Sequence, residues 1–127
     1  MKEESRKLLD KADRALQAAE TLIRAGDPES AVGRCYYAMP HTAQALLTGR
    51  DVRFRKHGAV HAAYGEHFAR TGLLDPKYHR WLLDAFDERL RSDYDIDATF
   101  NPQVVRRRIE HAREFLDAAR KYLEAGP

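Results

Sequence analysis

Arg34, Tyr37 and His41 stand three and four residues apart in GRCYYAMPHTAQALL, so a helix sets them on one face. The trio suits an anion, because a guanidinium offers a rigid fork of donors to phosphate and an imidazole moves protons near neutral pH. Their stripe lies beside the apolar row Val32, Tyr36 and Met39, which predicts that all three are at least partly buried. Further along, Arg89 follows Ala85 by four and Phe86 by three, with Asp93 four residues later and Tyr94 next. An arginine on an apolar face is seldom left unpaired. Asp93 pairs with it along the helix, or both join Arg34 and His41 in a polar cluster between helices that grips a phosphate. The spacing allows either.

Other groups carry weaker signals. The connector RDVRFRKH holds Arg53, Arg55 and Lys56 around Phe54, and Arg106, Arg107 and Arg108 form a second basic run. Both attract phosphate, and the connector supplies three candidate RNA contacts, although charge runs are usually solvated faces. His57 and His61 are four apart, but no further acid or thiol is spaced to complete a metal site, which favours packing or capping. The stretch from Asp93 opens like a calcium loop, yet it lacks the required Gly and Glu at Ala98 and Val104. No Glu-x-x-His pair exists for a di-iron bundle. No metal and no cofactor are expected.

These residues must be positioned by helices. Apolar positions recur at helical spacing from about Lys2 to Ala25, through Leu8, Leu9, Ala12, Leu16, Ala19, Leu22 and Ile23. Gly26 stops that segment, and Asp27-Pro28 caps the next, which ends near Gly49. A third helix over roughly His57 to Arg70 presents Val60, Tyr64 and Phe68. Asp75-Pro76 opens a fourth, with Tyr78, Trp81, Leu82, Ala85, Phe86 and Leu90 on its apolar face. Asn101-Pro102 opens a fifth, carrying Val105, Ile109, Ala112, Phe115, Leu116, Ala119 and Leu123.

Pro40 falls inside the second segment. Val32, Tyr36, Met39, Ala43 and Leu46 nevertheless keep one phase through it, which predicts a continuous helix kinked at Pro40. The missing backbone donor costs about 3 kcal/mol in an ordinary helix. Short loops between long helices then give an all-α, five-helix up-and-down bundle.

The 127 residues suit a single domain, and a formal charge of +2 does not by itself announce nucleic-acid binding. The chain shows no apolar run of membrane length and no leader-like start, which predicts no membrane association. One cysteine, Cys35, on an apolar stripe reads as a buried small hydrophobe and predicts a cytoplasmic setting.

AVGRCYYAMPHTAQALL, KHGAVHAAYGEHFARTG and ERLRSDYD, in that order and spacing, resemble three motifs of the small prokaryotic HEPN proteins (higher eukaryotes and prokaryotes nucleotide-binding). The resemblance runs from about residue 5 to 123. It implies a helical bundle that commonly dimerises. It also implies a nucleotide- or RNA-linked role of toxin–antitoxin type beside a nucleotidyltransferase-like partner. Many members are metal-independent ribonucleases with an R-x(4 to 6)-H motif, in which Arg89 matches the arginine. The histidine positions hold Tyr94, Asp95 and Ile96 instead. An altered nuclease would use Arg89, His41 and Asp93. Phosphate or nucleotide binding would use Arg34, Arg89, Tyr37 and Tyr94. Family members often carry a tyrosine after the motif to which partner enzymes attach nucleotides, and Tyr94 is loosely similar to it. A non-enzymatic helical interaction module remains a third reading.

Overall fold

The computed structural model describes residues 1–53 and 57–126. It contains α1 (Glu3–Arg24), α2 (Pro28–Gly49), α3 (His57–Tyr64) running into a π-helical turn (Gly65–Ala69), α4 (Lys77–Tyr94) and α5 (Pro102–Glu124). No strand occurs among the described residues, so the all-α expectation holds.

Local chemistry sets the helix starts. The Asp27 carboxylate accepts from the Ser30 N–H at 3.1 Å, and Asn101 Oδ1 accepts from the Gln103 N–H at 2.8 Å. Both helices carry proline in the first turn, where its missing donor costs nothing. At α4 the helix begins at Lys77, one residue later than the Asp-Pro signature implies, and Asp75 Oδ1 accepts from the Lys77 N–H at 2.9 Å.

Direction is fixed by long-range contacts. Ser5 Oγ donates to the Ala45 carbonyl at 2.9 Å, so the start of α1 lies at the end of α2 and the pair is antiparallel. Gly49 of α2 abuts Leu123 of α5, where a Cβ would sit 2.8 Å from the leucine, so those two helices end together. Arg108 reaches Glu88 at 2.6 Å while Tyr78 donates to Glu114 at 3.0 Å, which sets α4 antiparallel to α5. The four long helices α1, α2, α4 and α5 therefore alternate up and down, with the short α3 between α2 and α4, and α2 packs against every other α-helix.

The core follows the apolar phases. Val32, Tyr36, Met39, Ala43 and Leu46 of α2 are all buried, on both sides of Pro40, and the helix runs unbroken through it. Pro40 is itself buried. Two residues on, Thr42 Oγ1 donates to the Ala38 carbonyl at 2.8 Å, so its buried hydroxyl is satisfied within the helix. Val60, Tyr64 and Phe68 of the third segment meet Phe115 and Leu116 of α5 in the same core. Each such large side chain stabilises by about 1.5–3 kcal/mol when fully buried.

Two expectations about elements need correction. The third segment is not one α-helix: from Gly65 it widens, and the Arg70 N–H bonds the Gly65 carbonyl at 2.9 Å, five residues back. Gly65 makes room for α4, since a Cβ there would lie 2.6 Å from the His79 ring. Leu90, placed on the apolar face of α4, is 38% exposed. It belongs to an outward row, seven residues after Leu83 and four before Tyr94 in the helical repeat.

Candidate functional site

The site residues gather on two adjoining clefts, and Tyr37 lines both. The α2–α4 cleft has a volume of about 230 Å³ and is bounded by Tyr36, Tyr37, Phe86, Arg89, Leu90, Asp93 and Tyr94. Arg89 is its centre. Its guanidinium lies 4.4 Å from the Tyr37 ring centroid and 5.4 Å from that of Tyr36. Cation–ring contacts of this kind contribute about 0.5–2 kcal/mol as the site dries. Nε of Arg89 meets Asp93 Oδ2 at 3.1 Å, one turn along the same helix. The local ion pair is therefore present. Burial works against the Arg89 charge, but a hydrogen bond with Tyr37 and the Asp93 carboxylate outweigh it and raise the pKa above the usual arginine value.

Tyr36 shares a buried 3.3 Å hydrogen bond with His61 Nε2. Burial, opposed by the charge of Arg89, pushes the Tyr36 phenol up to about 12, so it stays protonated at neutral pH. His61 thus serves packing, edge-on to Tyr36 and Phe86. Among the described residues no three His, Cys, Asp or Glu side chains are grouped as a metal would need. Tyr94, at the last turn of α4, is 80% exposed.

The second cleft, between α1 and α2, has a volume of about 510 Å³. Lys11, Arg14, Ala15 and Ala18 line it from α1, and Arg34, Tyr37 and His41 from α2. Arg34 is exposed, contrary to the expectation of partial burial, because the small Ala15 and Ala18 leave a groove beside its stripe. Tyr37 and His41 are half-buried. Arg34 and His41 therefore share one cleft, Arg89 and Asp93 the other, rather than one four-residue cluster.

The basic connector divides. Arg53 is exposed and spends its charge on Glu4 at 2.6 Å and Asp51 at 3.6 Å, while Arg55 and Lys56 lie outside the described residues. Arg106 and Arg107 are exposed; Arg108 instead ties α5 to α4 through Glu88. Cys35 is buried, and desolvation, helped by Glu88, pushes its thiol up to about 12. The sequence reading missed Lys11 and Arg14. Their signal was present: Lys7, Lys11 and Arg14 repeat at one helical face.

No helix among the described residues is long and apolar enough to cross a membrane. Residues 5–122 match the HEPN domain family. A protein named "Putative toxin MJ0142" from Methanocaldococcus jannaschii is 30% identical over 122 residues, covering 96% of this chain and 83% of that one. Another from the same organism, "Putative toxin MJ0605", is 30% identical over 124 residues, covering 98% and 92%. A "UPF0332 protein" of Thermotoga maritima is 32% identical over 114 residues, covering 90% and 86%. With the bundle, the motif order and nearly the whole length in agreement, the chain belongs to the HEPN domain family.

Proposed function

We propose that this chain is a toxin-like HEPN protein that forms a homodimer and acts on, or is acted on through, phosphate-bearing nucleotides with a nucleotidyltransferase-family partner. The observation that carries this reading is the α2–α4 cleft. There Arg89 is fixed by Asp93 and two tyrosine rings, its charge is retained, and the exposed Tyr94 stands at its rim. Arg89 holds phosphate, Asp93 orients it, and Tyr37 shapes the wall. Tyr94 is the acceptor: its oxygen attacks the α-phosphorus of a nucleoside triphosphate on the partner, pyrophosphate leaves, and the phenolic proton passes to the partner's base. The names borne by the two Methanocaldococcus relatives support the toxin class.

Metal-free RNA cleavage is less well served by this geometry. It needs a base and an acid at one phosphate. His41 lines the neighbouring cleft, so Asp93 is the carboxylate that shares a cleft with Arg89, beside three tyrosines. A purely structural role also has support, because Arg89 stacked on Tyr36 and Tyr37 fixes helix packing.

Co-expression with the product of the adjacent gene separates the three. The expected result is a stable complex and an intact-mass gain of nucleotidyl units that Tyr94→Phe removes. Cleavage of RNA in chelator by the protein alone, lost in Arg89→Ala, would instead establish the nuclease. No complex, no mass gain and no cleavage would leave packing as the role of Arg89.

A further inference from the structure

The α1–α2 groove is built differently from the Arg89 cleft. Lys7, Lys11 and Arg14 stand at steps of four and three along α1, on one face. Opposite them, Arg34, Tyr37, His41 and Gln44 step by three, four and three along α2. Lys11 borders both the cleft that holds Arg34 and His41 and the adjacent groove that holds Lys7, Gln44 and Arg53. The cations therefore form a track rather than a point.

Charge sorting on α1 makes that track cationic. Asp13, beside Arg14 in sequence, is turned to α5, where Arg113 holds it at 2.5 Å and Glu20 at 3.0 Å. Glu3 pairs with Arg6, and Glu4 pairs with Arg53 at 2.6 Å. Asp10, one turn before Arg14, makes no ion pair with it, and no carboxylate lines the Lys11–Arg14–Arg34 cleft. Among the described residues Lys11, Arg14 and Arg34 have no acidic partner within 4 Å. Three cations at one groove repel each other, and a multiply charged anion relieves that repulsion. Ala15 and Ala18 keep the space between them open.

We infer that this groove binds the phosphoryl groups of a nucleotide ligand, with Lys11, Arg14 and Arg34 as its phosphate contacts. The inference rests on the reading of this chain as a phosphate-handling protein, but it places phosphate on a second surface, away from Arg89. The ligand is a free nucleotide or a single strand, which share this chemistry.

Titration of the full chain at low salt with inorganic triphosphate, and separately with a dye-labelled oligouridylate, tests it. Lys11→Gln and Arg14→Gln alter exposed side chains, so both variants should fold, as circular dichroism will report. Each should weaken binding by about tenfold for a direct charge-assisted contact. Arg14→Lys should retain most of the affinity, and Arg24→Gln, on α1 but outside the groove, should change nothing. Triphosphate binding alone assigns a free nucleotide; tighter binding of the strand assigns the polymer. No binding of either probe overturns the inference. So does binding that Lys11→Gln and Arg14→Gln leave intact; if Arg89→Gln abolishes it, the α2–α4 site stands while this one falls.

Discussion

Trp81 and His111 lie face to face, with ring centroids 3.8 Å apart and planes within 2°. Burial depresses the His111 pKa below its ordinary value, helped by the nearby charge of Arg108. Trp81 is the single tryptophan, so its emission reports this imidazole directly. Protonation should quench the indole with a midpoint below about 6.5, the unperturbed histidine value. The sign for stability follows from linkage. The unfolded chain takes up this proton more readily, so stability is intact above the unfolded pKa and falls as pH drops through 6.5 toward the folded value. A pH titration of Trp81 fluorescence should show the step, and His111→Gln should remove it; a step that survives the substitution would assign it elsewhere. Cys35 gives a second residue-scale prediction. Because the thiol is buried and raised to about 12, a thiol reagent at neutral pH should label it only as fast as the chain opens. Labelling at the rate of free cysteine would contradict its burial.

At the scale of elements, α2 is where sequence and structure meet most informatively. Its apolar phase made a continuous helix through Pro40 legible, because burial follows a 3.6-residue period whatever the backbone bonds do. Replacing Pro40 with alanine restores a donor to the Tyr36 carbonyl and recovers about 3 kcal/mol of helix propensity. It also removes two buried methylenes, worth about 0.8 kcal/mol each. Pro40→Ala should therefore stabilise the chain by about 1 kcal/mol, read as a higher urea midpoint with unchanged slope. A loss of stability would mean that the buried pyrrolidine ring itself supports packing. The widened turn after Tyr64 was not legible. Val60, Tyr64 and Phe68 keep four-residue steps, and those fit α and π geometry over so short a span. What demands the extra width is the His79 ring against Gly65, a contact from another helix. The same limit explains Arg34: its stripe ran beside the core, but the alanines that leave it exposed belong to α1. The Arg89–Asp93 pair was legible because both members sit on one helix.

For the whole molecule, the outward row on α4 is the feature the monomer does not use. Leu83 and Leu90 are 40% and 38% exposed, Tyr94 80%, and Ile96 just beyond the helix 98%. Asp87 is the polar residue within this row, and it is exposed too. Scattered exposed leucines are ordinary, but a row along one helix ending beside a candidate site is the face that the proposed homodimer would use. A two-fold axis near Leu90 would pack α4 against α4 of a second copy and bring the two Arg89–Asp93 clefts to one seam, since Leu90 and Tyr94 line that cleft as well. An anion held there would then face two guanidiniums instead of one. Leu90→Glu places a charge at the middle of the strip without touching the buried core, so it should leave helicity intact and convert the proposed dimer to a monomer in sedimentation equilibrium. The same variant should weaken phosphate binding at the Arg89 cleft while leaving the α1–α2 groove unaffected, because Lys11 and Arg14 sit on another helix. A wild-type chain that sediments as a monomer at every concentration would remove the dimer, and with it the shared seam.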